Sequence, residues 1–149
     1  MSNHASPRVP YTELSADAFK ALFGVSRAVR AGSIETELLE LIQLRVSQIN
    51  GCAYCIDMHA TALRKAGIEP RKLDTLVAWH ESRFFDARER AALGWAEALT
   101  RLPEGAPSQA AFDALAPHFD EKGISDLSMA VALINAWNRL GAGLLPPLP

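Results

Sequence analysis

The chain has 149 residues and a net charge of −2, from 15 basic and 17 acidic side chains, and its basic residues never run longer than a pair. That balance lacks the electrostatic footprint of a nucleic-acid or anionic-membrane binder. Hydrophobic residues at 49% and charged residues at 21% are the composition of one globular domain with a substantial core, and no apolar stretch approaches the roughly 18–20 residues that span a bilayer.

A single domain over residues 1–149 is expected, with a flexible arm at 1–10 that contains His4 and a proline-rich tail at 143–149. After the arm, TELSADAFKALFGVSRAVRAG predicts a first helix, with Phe19, Leu22, Phe23 and Val29 near one face and Gly32 as its stop. ETELLELIQLRVSQIN predicts a second, apolar at Leu38, Leu41, Ile42, Val46 and Ile49, with Glu40, Gln43 and Ser47 as a polar stripe. The pair Asn50-Gly51 ends it. CAYCIDMHATALRKAG then opens a third helix at Cys52 and closes it at Gly67.

Pro70 suits the first turn of a short helix through RKLDTLVAWHES, followed by a loop around Arg83-Phe84-Phe85. Asp86 and Glu89 form a box-like start to DARERAALGWAEALTRL, which stops before Pro103. SQAAFDALAPHF gives another short helix. Ser125 is the expected cap of a last, buried helix over SDLSMAVALINAWNRLG, and the tail GAGLLPPLP is expected to be non-helical. No segment alternates with period two, so the fold class is all-α, a bundle of about seven helices.

The chemistry concentrates in NGCAYCIDMH, which holds both cysteines of the chain, three apart, and a histidine four residues after the second. Cysteines at i and i+3 in a first helical turn have Cα atoms about 5–6 Å apart, within disulfide range. The helix N-terminus stabilises a thiolate, which favours Cys52 as the reactive sulfur. His59 lies one turn after Cys55 and can take its proton, which favours Cys55. Spacing alone leaves that conflict open.

Other readings of the pair are a zinc site, with His80 or His118 as the fourth ligand beside Cys52, Cys55 and His59, and two inert buried thiols. A c-type haem is excluded because Ile56, not histidine, follows the pair, and a thioredoxin fold because no βαβ pattern surrounds it. The spacing favours a redox dithiol carried on a helical bundle. His80 and His118 read as surface or helix-end residues. Trp137, Asn138 and Arg139 read as buried packing, with a pocket or a subunit interface as the alternative. The N-terminus MSNHASPRVPYTEL has no secretory pattern, so a reducing, cytoplasmic setting is expected.

Glu40, CAYCIDMH, DARERAALGWAEALT and SDLSMAVALINAWNRLG together resemble the carboxymuconolactone decarboxylase-like, alkylhydroperoxidase D-like proteins, over about residues 15–142. The C-x-x-C-x-x-x-H core becomes specific when an acidic residue lies twelve positions upstream in an all-helical chain, as Glu40 does. The resemblance implies a trimeric or hexameric all-α fold and a peroxidase site needing no metal, haem or other cofactor. It implies Cys55 as the peroxidatic residue, Cys52 as the resolving one, and His59 and Glu40 as a proton relay. Its implied partners are a hydroperoxide substrate and a dithiol or protein reductant.

Tyr54 stands where the alkylhydroperoxidase branch has a histidine before the second cysteine. A phenol does not titrate near neutrality as an imidazole does, which implies a shorter relay, weaker turnover and a reductant other than that branch's lipoyl-bearing partner. The decarboxylase branch generally lacks the CxxC, which counts against lactone decarboxylation. The competing function is a non-catalytic redox-sensing or metal-binding module.

Overall fold

The structure is a computed structural model and describes residues 6–149; His4 lies outside the described residues. Among those described there are eight α-helices and no strand. The first expected helix is two, α1 (Tyr11–Leu14) and α2 (Ala16–Arg30), broken at Ser15. α3 (Thr36–Asn50) and α4 (Ala53–Lys65) form a helical hairpin, followed by α5 (Pro70–Asp74) and a 3-10 turn at Leu76–Ala78. After the loop come α6 (Ala87–Thr100), α7 (Gln109–Asp113) and α8 (Glu121–Leu144). No helix among the described residues is long and apolar enough to cross a membrane.

α3 is the axle of the bundle, packed by α4, α6 and α8. Its residues from Leu38 to Ser47 are all buried, so the polar stripe of Glu40, Gln43 and Ser47 faces protein instead of solvent. Polar partners compensate that burial: Ser47 donates to the Gln43 carbonyl at 2.7 Å, and Asn138 Nδ2 donates to Ser47 Oγ at 2.9 Å. On another face of α3, buried Arg45 meets Glu97 of α6 at 2.7 Å, and Trp79 Nε1 donates to the same carboxylate oxygen. The Asp86–Glu89 capping box forms with both of its hydrogen bonds.

Two expectations about α8 need correction. Its cap is Asp120, whose Oδ1 accepts from Gly123 N at 2.7 Å, so Ser125 lies inside the helix. At Gly123, in the first turn, a Cβ would press on Phe119 and Asp120. Gly123 is a packing glycine. The start of the tail is also helical, because α8 runs through Gly141-Ala142-Gly143 to Leu144 and ends at Leu145, before Pro146-Pro147. Glycine weakens a helix without breaking it, whereas proline stops it. Arg8, in the arm, donates its backbone N–H to the Leu144 carbonyl at 2.8 Å.

α2 has no fully buried residue, and its Phe23 is 55% exposed. It lies over α8 as a half-open cover, and this arrangement leaves a cavity beneath it.

Candidate active site at the CxxC helix

The α3–α4 hairpin places the site. Gly51 takes a left-handed φ of 67°, Gly51 N bonds to the Gln48 carbonyl and Cys52 N to the Ser47 carbonyl, the paired bonds of a Schellman ending. The chain therefore reverses within two residues, and Cys52 at once becomes the N-cap of α4. Its sulfur accepts from Cys55 N at 3.3 Å. The tight reversal lays α4 back along α3 and brings His59 beside Glu40.

Cys52 and Cys55 are joined as a disulfide with a Cα–Cα distance of 5.4 Å. Both are buried, but they face different surroundings: Cys55 lines a cavity of about 290 Å³, and Cys52 does not. The cavity lies between α2, α4 and α8. Phe19, Phe23, Met58 and Trp137 give it apolar walls, while Arg30, Gln43, Tyr54 and His59 supply polar groups. An apolar pocket with a few convergent polar groups is the usual form of a small-molecule site.

Within it, Glu40 Oε2 lies 2.6 Å from His59 Nδ1, and Glu40 Oε1 accepts from Arg30 at 2.7 Å. Burial alone would raise the Glu40 carboxyl, but the hydrogen bond and charge of His59, and then Arg30, outweigh it and hold the group below its ordinary value. An ionised carboxylate can only accept, so Nδ1 carries the imidazole proton. In the neutral form of the ring, Nε2 is then the basic nitrogen. Like Gln43 Oε1, it is buried and has no hydrogen-bond partner among the described residues.

The structure thus brings together all four residues singled out in the sequence, Glu40, Cys52, Cys55 and His59. It does not bring His80 or His118 to them. His80 stacks on Trp79 and is exposed, with Nε2 3.9 Å from Glu97, and His118 lies in the turn before α8. Trp137 lines the cavity and donates to Ser26, Asn138 is buried, and Arg139 is exposed and donates to Asn135. Sequence reasoning missed Arg30, because nothing in a surface-helix pattern marks an arginine as the partner of a buried acid on the next helix. It also missed Gly141, because the Gly-rich run at the end of the chain reads as the end of a helix and only the structure carries the helix through it.

The model of the carboxymuconolactone decarboxylase family matches residues 16–98, more than half of the chain. The chain belongs to that family. Its relatives include the uncharacterised protein YdfG of Bacillus subtilis, 35% identical over 93% of this chain and 95% of that one. The alkyl hydroperoxide reductase AhpD of Bradyrhizobium diazoefficiens is 50% identical, but over only 26% of this chain and 21% of its own. Among solved structures, ATU0492 of Agrobacterium tumefaciens superposes with a TM-score of 0.92 at 36% identity, covering 96% of this chain and 98% of that one. ATU0492 is a protein of unknown function suggested to be an AhpD antioxidant defence protein. Within the family, then, the resemblance inferred from Glu40 and the CxxCxxxH run holds, and so does the all-α fold that it implied.

Proposed function

We propose that this member of the family is a cysteine-based hydroperoxide reductase. The observation that carries the reading is the asymmetry of the dithiol: Cys55 and His59 line one apolar cavity, with His59 Nε2 unpartnered among the described residues, while Cys52 sits behind Cys55 within disulfide reach. In the reduced protein His59 takes the Cys55 proton, and the thiolate attacks the terminal peroxide oxygen. The O–O bond breaks, Cys55 becomes a sulfenic acid, and the alkoxide leaves as an alcohol with the proton that His59 held. Cys52 then attacks the Cys55 sulfur, an S–S bond forms, and the oxygen leaves as water. An external dithiol or dithiol-bearing protein reduces the disulfide by exchange and restores the pair.

Glu40 holds His59 in the productive tautomer, and Arg30 holds Glu40. Tyr54, at the cavity wall, orients through its hydroxyl. The apolar walls favour an organic hydroperoxide over hydrogen peroxide.

The test is consumption of an organic hydroperoxide by the purified protein with several dithiol reductants, beside metal analysis of the reduced form. Catalytic turnover is the expected result. A single oxidation with no turnover under any reductant would favour a redox-sensing module, and stoichiometric zinc a metal-binding one.

We also propose a homo-oligomer, a trimer or a hexamer. Phe23 at 55%, Leu14 at 72% and Met129 at 53% exposure are large apolar groups on helices α1, α2 and α8 that a monomer leaves in water. Light scattering at micromolar concentration is expected to give a multiple of the chain mass, and a clean monomer would contradict it.

A further inference from the structure

Helix α8 presents bare backbone to the two sulfurs. A Cβ at Gly141 would stand 2.5 Å from Cys52 Sγ and 3.3 Å from Cys55 Sγ, against roughly 3.5–4.0 Å for an unstrained non-bonded contact. Neither side can simply draw back. One turn earlier α8 is pinned to the end of α3: Asn138 Nδ2 donates to Ser47 Oγ at 2.9 Å, and Asn50 Nδ2 donates to Asn138 Oδ1 at 3.0 Å and Asn135 Oδ1 at 2.9 Å. Asn50 is separated from Cys52 only by Gly51, so the same polar cluster fixes the dithiol and the helix facing it. Gly143, two residues on, is different, because a Cβ there meets nothing within 4 Å.

We infer that Gly141 is a positioning residue of the dithiol, its missing side chain holding open the space in which Cys52 and Cys55 close their disulfide. A sulfur in a disulfide is fixed by the bond, whereas a free thiol can turn to another staggered χ1 position and step away from an added methyl group. A side chain at 141 therefore raises the closed state more than the open one. In the reaction proposed above, on which this second consequence rests, the step it obstructs is the last: attack of Cys52 on the Cys55 sulfenic sulfur, which forms S–S, breaks S–O and releases water with the Cys52 proton. The first attack, by Cys55 on peroxide, needs no closure.

Gly141→Ala and Gly143→Ala separate this role from helix propensity, since both replace a glycine of α8 with a better helix former. Each reduced protein is equilibrated in glutathione redox buffers without peroxide, and the disulfide fraction is read by alkylation and mass spectrometry. Gly143→Ala should match the unmodified chain. Gly141→Ala should lower the equilibrium constant for closure at least about tenfold, a potential higher by about 30 mV. Equal constants for the two variants would overturn the inference. Should Gly141→Ala fail to fold, adding Cys52→Ala removes the nearer sulfur and must restore folding; no restoration would likewise overturn it.

A peroxide pulse then tests the second consequence. Gly141→Ala should hold a dimedone-trappable sulfenic acid on Cys55 that Gly143→Ala resolves at once. A shifted equilibrium with no sulfenic acid in any variant, Cys52→Ser included, would sink the peroxidase reading and leave the role of Gly141 in closure standing. Equal resolution in both variants despite the shift would overturn the role of Gly141 in the reaction.

Discussion

Cys55→Ser is expected to abolish hydroperoxide reduction, while Cys52→Ser reacts once and stops. The difference follows from which sulfur faces the cavity. In Cys52→Ser the peroxide still reaches Cys55, His59 Nε2 still takes the thiol proton, and one equivalent of alcohol forms. No thiol then stands within reach to condense with the sulfenic acid, so Cys55–SOH persists and a dimedone-type reagent labels it. In Cys55→Ser the remaining thiol, Cys52, is fully buried and does not line the cavity. A dimedone adduct on Cys52 in Cys55→Ser, with none on Cys55 in Cys52→Ser, would mean that the helix dipole acting on Cys52 outweighs the histidine.

The second large effect belongs to the relay. His59→Ala removes the base and Glu40→Gln removes the carboxylate that fixes its tautomer, and each should slow single-turnover oxidation by about 10²-fold or more with both cysteines intact. The two differ in their pH behaviour. The Glu40 carboxyl is held below its ordinary value by His59 and Arg30 against the cost of burial, so its contribution to stability is fully present above the unfolded value of about 4.3 and is lost as pH falls through the lower folded value. Glu40→Gln should therefore be less stable than the unmodified chain at neutral pH, and the gap should narrow on acidification below about pH 4. Urea titrations at neutral and acid pH measure that gap directly. A gap that widens with acid would mean that Glu40 is not held ionised.

Much of this was legible in the sequence, for identifiable reasons. The CxxC at a helix start and His59 one turn on are local features, and local spacing fixes them whatever the rest of the chain does. Glu40 is ambiguous in the sequence, since a stripe with Gln43 and Ser47 is ordinarily solvated while Leu38, Leu39, Leu41 and Ile42 beside it mark a mostly buried helix in which His59 could be its partner; the family pattern decides between them. The structure buries it because α3 is packed by α4, α6 and α8 at once. Which sulfur is open depends on where α2 and α8 stand relative to α4, a tertiary fact with no local signature. The same holds for Arg30, which reaches Glu40 from a helix that the pattern marks only as amphipathic. Gly141 was hidden by the rule that a Gly-rich run ends a helix. Here the helix continues, and the missing side chain serves the cysteines instead.

The central claim, that the Cys52–Cys55 dithiol is what reduces the peroxide, is tested most directly by stoichiometry. The fully reduced protein is mixed anaerobically with one equivalent of an organic hydroperoxide and no other reductant, and both products are counted. One alcohol and one intramolecular Cys52–Cys55 disulfide per chain, appearing together, are the predicted result; alcohol formation without that disulfide, or a dithiol left intact in the presence of peroxide, would contradict it.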